Sequence, residues 1–221
     1  MKYTGEYLYQ VMPSFSPEEV IESDLDKLTT GLYALSVNDV LQYLTSLREV
    51  LEKNLGLVNA VRELSRRTSE FPDAYLDAAF SSLSVLLDPE MARAMIDNEL
   101  SAWGRTGSAF LEGWVEVPAS VFPGLTPMFA HNISPNIEGG ASEQPKTSIR
   151  AMPTRQLHIT AGNAPAVPIV SALRAIVTKS AGVIKSPYGA TLPGALLALA
   201  ACAAAPEHPI TRNLSIIYWP G

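Results

Sequence analysis

The first hundred residues place apolar side chains at helical spacing. Ser16-Pro17-Glu18-Glu19 reads as a helix start, with Ser16 as N-cap, Pro17 at the first position and Glu19 reaching back. Ser36 repeats this logic with Asp39 three residues on. Val40, Leu41, Leu44, Leu47, Leu51 and Leu55 then recur every three or four positions, a stripe that one helix buries. Gly56 is the predicted break. Leu57, Val58, Val61 and Leu64 predict a further helix. Tyr75, Leu76, Ala79, Phe80, Leu83 and Leu87 predict another, and Asp88 caps a last one through Met91, Met95 and Ile96.

The period changes near Gly104. Glycine and proline punctuate the chain from there to Pro153. Trp114 to Val117 reads as a strand, 118–140 as an ordered surface loop, 138–146 as a mobile hairpin or linker, and Ile149 to Met152 as an edge strand. From Arg155 the pattern alternates between strand and helix. Leu157 to Thr160 is a predicted core strand, Ala164 to Lys179 a helix, and Val183 to Lys185 a second strand. Leu192 to Ala204 is a second helix and Leu214 to Trp219 a third strand. Strands alternating with helices give a parallel sheet. The fold class is α/β: a helical N-terminal region followed by part of a Rossmann-like parallel sheet. The predicted divisions are 1–103, helical; 104–153, a connecting segment with short strands; and 154–221, a partial cofactor-binding domain.

Composition narrows the function classes. Hydrophobic residues make up 47% and charged residues 17%, so a sizeable core is within reach and global disorder is excluded. The net charge of -6 argues against nucleic acid as the main partner. One cysteine, Cys202, permits no internal disulfide, and a reducing cytoplasm is the simplest setting. The uncharged run from Ser186 to Pro206 is broken by Pro187, Gly189, Pro193 and Gly194, which predicts a buried helix and no membrane span.

The polar residues at the two strand ends carry the candidate chemistry, since ligands of open parallel sheets bind at the carboxyl ends of the strands. Asn163 stands in the loop Ala161-Gly162-Asn163-Ala164-Pro165. Its amide either donates to an oxygen that becomes negative during acyl transfer or caps the following helix. Lys185 ends the next strand. It either contacts a ribose 2′-phosphate or points to water. Cys202 lies in an alanine-rich helix with no nearby base, where a buried thiol is inert. His131, His158 and His208 stand alone, without metal-ligand spacing, so no metal site is expected.

These residues carry a family resemblance. Ala161-Gly162-Asn163-Ala164-Pro165 resembles the Gly-Asn-Val-Pro loop of acyl-CoA reductases of the LuxC type, within the aldehyde dehydrogenase superfamily. Ala181-Gly182-Val183-Ile184-Lys185-Ser186-Pro187 resembles their strand ending in Lys-Pro-Ser or Lys-Ser-Ser, and Leu214 to Gly221 the next strand with its Pro-Gly exit. The resemblance implies an aldehyde dehydrogenase-like cofactor domain that binds NADPH. Asn163 would hold the thioester or hemithioacetal oxygen. Thr160, Ala161 and Gly162 would line the nicotinamide side. Lys185 would contact the adenosine ribose or its 2′-phosphate, with Ser186, Pro187 and Tyr188 completing the cofactor-binding stretch. Tyr188 departs from the pattern, because many aldehyde dehydrogenases have a ribose-binding glutamate there. The implied parent reaction passes an acyl group from acyl-CoA or another acyl thioester to an enzyme cysteine and reduces it to an aldehyde. That cysteine is expected beyond Gly221, which would leave the isolated chain inactive. Self-association through the incomplete sheet is also expected. A nucleotide-binding module without catalysis, or a helical interaction domain, remain the alternatives.

Overall fold

The structure, a computed structural model, describes residues 2–3, 6–7, 16, 18, 23–118 and 146–219. Two compact units divide the chain. One joins Met1–Met95 to Pro153–Gly221, and the other is Ile96–Met152.

The first unit begins with two short paired strands, β1 (Lys2–Tyr3) and β2 (Glu6–Tyr7), followed by helix α1 (Leu25–Thr30). Pro17 and Glu19, half of the predicted first helix start, lie outside the described residues. The Ser36 start is present. The Ser36 N–H donates to the Asp39 carboxylate at 2.7 Å and the Asp39 N–H donates back to Ser36 Oγ at 3.1 Å, closing a capping box on α2 (Val37–Lys53). Val40, Leu41, Leu44, Leu47 and Leu51 are buried along this helix as their spacing requires. The break comes at Asn54, before the predicted Gly56, which lies inside α3 (Leu55–Thr68). The helix predicted through Leu87 is two, α4 (Asp73–Ser81) and α5 (Leu83–Leu86), interrupted at Ser82. Asp88 caps α6 (Pro89–Glu99), accepting from the backbone N–H groups of Glu90 and Met91 at 2.9 and 3.0 Å.

In the second unit, α7 (Gly107–Glu112) precedes β3 (Val115–Pro118), which pairs antiparallel with β4 (Lys146–Ile149). The edge strand predicted over 149–152 thus lies three residues earlier. Phe110, Val115 and Val117 form a small core there. The loop predicted over 118–140 and the hairpin predicted over 138–146 fall, but for Pro118 and Lys146, outside the described residues.

The rest of the first unit is a three-stranded parallel sheet in the order β5 (Arg155–Ile159), β6 (Ala181–Lys185), β7 (Leu214–Ile217). Helix α8 (Val167–Val177) links β5 to β6. Helix α9 (Thr191–Ala204) and the short α10 (Pro209–Arg212) link β6 to β7. Register places Gly182, Ile184, Leu214 and Ile216 on one face. A Cβ on Gly182 would stand 2.8 Å from Ala175 of α8, and one on Gly194 of α9 would stand 2.9 Å from Ile216. Both crossover helices therefore cover this face, and glycine sets their close approach.

Helix α9 is sandwiched between the sheet and helices α2 and α3, which is why it carries no charge. No helix among the described residues is long and apolar enough to cross a membrane. Lys179, just after α8, is buried at 1% exposure in a left-handed conformation (φ 53°). Its Nζ donates to the Leu35 carbonyl at 2.9 Å and stands 5.7 Å from the Tyr33 ring, tying the sheet layer to the start of α2.

One prediction about the sheet fails. β5 is not a core strand: Leu157 is 61% and Ile159 69% exposed. Among the described residues β5 has one ladder partner, β6, and its Leu157 side lies on the face opposite the crossover helices. An apolar run marks a strand with two coverable faces, but it does not show whether both are covered.

Candidate functional site

The carboxyl ends of β5 and β6 are joined by a single residue. Thr160 donates to the Lys185 carbonyl through its N–H, at 3.1 Å, and through Oγ1, at 2.7 Å. This pair of hydrogen bonds fixes the point at which the Ala161–Pro165 loop leaves the sheet. Ser186 extends the other side, its N–H donating to the Ile217 carbonyl at 2.8 Å. The loop and the turn meet at Gly162 and Pro187, where a Cβ on the glycine would lie 3.5 Å from the proline Cβ.

A cleft of about 320 Å³ opens at this edge, lined by Gly162, Tyr188 and Gly189 together with Glu70 and Phe71. The last two belong to the connector between α3 and α4. Phe71 is seated on Gly189: a Cβ there would be 3.3 Å from the Phe71 ring. Nothing in the spacing of Glu70-Phe71-Pro72 ties it to strand ends so distant in sequence. The only available signal is an aromatic residue in an otherwise polar connector.

Asn163 is exposed and is not the helix cap. Helix α8 starts at Val167, its N-cap is Ala166, and no side chain caps it. The loop runs three residues too far for the Asn163 amide to serve the first turn. That amide makes no hydrogen bond among the described residues. Lys185 does not simply point to water. It is half-buried, with Nζ 5.7 Å from the Tyr218 ring centroid and 5.5 Å from that of Trp219. Tyr218 in turn lies 6.4 Å from Tyr188, so an aromatic path connects Lys185 to the cleft wall. The structure thus gathers Thr160, Gly162, Lys185, Ser186, Pro187 and Tyr188 at one edge. Ser186 Oγ, on a residue 1% exposed, is buried without a hydrogen-bond partner among the described residues.

Two other groups stand apart. Cys202 is exposed, contrary to the buried setting predicted for it. It lies eleven positions beyond Thr191, about 16 Å along a helix that runs away from the strand ends. His158 is half-buried, with Nε2 2.9 Å from Gln156 Oε1; burial and then the Arg174 charge lower its pKa, in keeping with a structural role. Among the described residues no group of His, Cys, Asp or Glu is arranged to hold a metal.

The gathered edge lies within the stretch that is similar to known proteins. Residues 141–221 match the acyl-CoA reductase (LuxC) family. The chain is 42% identical over 78 residues to the long-chain acyl-protein thioester reductase of Photorhabdus laumondii subsp. laumondii, covering 35% of this chain and 16% of that protein. It is 39% identical over 77 residues to the enzyme of that name from Photorhabdus luminescens, covering 34% and 16%. To that of Vibrio harveyi it is 34% identical over 73 residues, covering 33% and 15%. The chain therefore matches only about a sixth of the length of these relatives. Its C-terminal third is related to fatty acyl thioester reductases, and this relation rests on the segment that builds the parallel sheet.

Proposed function

We propose that residues 153–219 form the coenzyme-binding part of a fatty acyl thioester reductase, a Rossmann-like domain of the aldehyde dehydrogenase kind that binds NADPH at the strand ends. The supporting observation is that two motifs of the LuxC-matched stretch, Gly162-Asn163 and Lys185-Tyr188, lie at the carboxyl edge of parallel strands and each place one residue, Gly162 and Tyr188, in the wall of one cleft. The residues present fit such a ligand, with an exposed amide at Asn163, unpaired among the described residues, and a cation at Lys185 on either side of the Thr160 junction.

In this reading the Asn163 amide donates to the thioester oxygen as negative charge develops there. When bound, NADPH supplies hydride to the acyl carbon, yielding an aldehyde as the thiolate departs. Thr160, Ala161 and Gly162 shape the nicotinamide side, and Lys185 faces the adenosine ribose and its 2′-phosphate. The acyl-accepting cysteine of this chemistry is not Cys202, which the crossover helix carries away from the strand ends. The substrate class is an acyl-CoA or acyl-protein thioester. Self-association with a second copy, through the uncovered part of the sheet, belongs to the same proposal.

Fluorescence titration of NADPH and NADH against the whole chain and its Lys185→Ala variant tests the reading. A charge-assisted contact to phosphate predicts a loss of roughly ten- to a hundredfold for NADPH and much less for NADH. Equal losses would confine Lys185 to the shared part of the two coenzymes. No loss for either would remove it from the site.

A further inference from the structure

We infer that Glu70, delivered by the helical region, is a specificity determinant of the strand-end cleft: it accepts from the hydroxyls of a ribose and weighs against a phosphate on them. The inference rests on the coenzyme reading above and deepens it.

The position of Glu70 is set by its neighbours. Ser69 ends α3, its N–H donating to the Ser65 carbonyl at 3.0 Å and its Oγ to the same carbonyl at 2.8 Å. Phe71 is packed on Gly189, and the Pro72 carbonyl accepts from the N–H of Tyr75 at 2.9 Å as α4 begins. Across the connector, Arg66 of α3 holds Asp77 of α4 at 2.6 Å and also pairs with Glu63. A short connector fixed on both sides leaves its middle residue little freedom. That residue is Glu70, and it lines the cleft together with Gly162 and Tyr188.

Arg66 pairs with the neighbouring acids Glu63 and Asp77, whereas Glu70 has no ion pair among the described residues. An acid in a cleft at the end of a parallel sheet is the group that binds the free diol of a nicotinamide dinucleotide ribose. Tyr188 occupies the strand-end turn where no carboxylate is present, and Glu70 brings one to the same cleft from another part of the chain. Lys185, beyond Tyr188 and Tyr218, favours phosphate. The preference of the site between NADPH and NADH is thus a balance between Lys185 and Glu70.

The test is titration of both coenzymes against the whole chain and its Glu70→Gln variant, which keeps the shape and removes the charge. The expected result is opposite changes: NADH binds more weakly, NADPH as well or better. The ratio of NADPH to NADH affinity rises by about three- to tenfold, because the carboxylate is exposed and screened. The rise should shrink at high salt, which a packing change would not do. An unchanged or lowered ratio, with both coenzymes still bound by the unmodified chain, overturns the role of Glu70 alone. Failure of the unmodified chain to bind either coenzyme overturns this inference together with the coenzyme reading.

Discussion

Ser36 and Asp39 satisfy each other's backbone N–H groups at the start of α2, and the same bonds hold the Asp39 carboxyl below the usual carboxylate range. The backbone hydrogen bond at Ser36 contributes most, its hydroxyl next, against a small opposing effect of burial. Ser36→Ala is expected to cost about 1 kcal/mol in urea unfolding, as for other N-caps. A depressed folded pKa stabilises above the unfolded value and ceases to do so as pH falls through the folded one. The penalty of Asp39→Asn should therefore be present at neutral pH and fade in acid; a penalty that persisted unchanged there would contradict the pairing. This cap was legible in the sequence because its partners are three residues apart. Whether Asn163 caps a helix was less so, because that depended on where α8 begins, and it begins at Val167.

At the scale of elements, the alternation of strands and helices after Arg155 gave the right order and the parallel sense, since both follow from the length of the crossovers. It misjudged β5. Val183 is buried and Leu157 exposed on the same face, though both sit in equally apolar runs. Coverage depends on what lies across the sheet, which local pattern does not encode. Parallel strands are ordinarily covered on both faces, so this open side of β5 is the element expected to drive association. Sedimentation of the whole chain should show self-association that Leu157→Lys with Ile159→Lys reduces. A monomer in both cases, over the same concentrations, would contradict it.

For the whole molecule, the sequence separated a helical region from an α/β region but left them unconnected. The fold joins residues before Met95 to those after Pro153 in one unit, and α9 is buried between the sheet and the N-terminal helices. That burial explains the uncharged run that could be mistaken for a membrane span. It also explains how Glu70 and Phe71 reach the strand ends, a contact between distant parts of the chain that no local motif announces. The central claim is that the LuxC-matched strand ends and this connector form one coenzyme site. Hydrogen exchange of the whole chain with and without NADPH tests it most directly. The account predicts slowed exchange at Gly162, Asn163, Tyr188 and Gly189, and also at Phe71, with little change at Cys202 and the end of α9. Protection confined to other segments, or none at saturating NADPH, would contradict it.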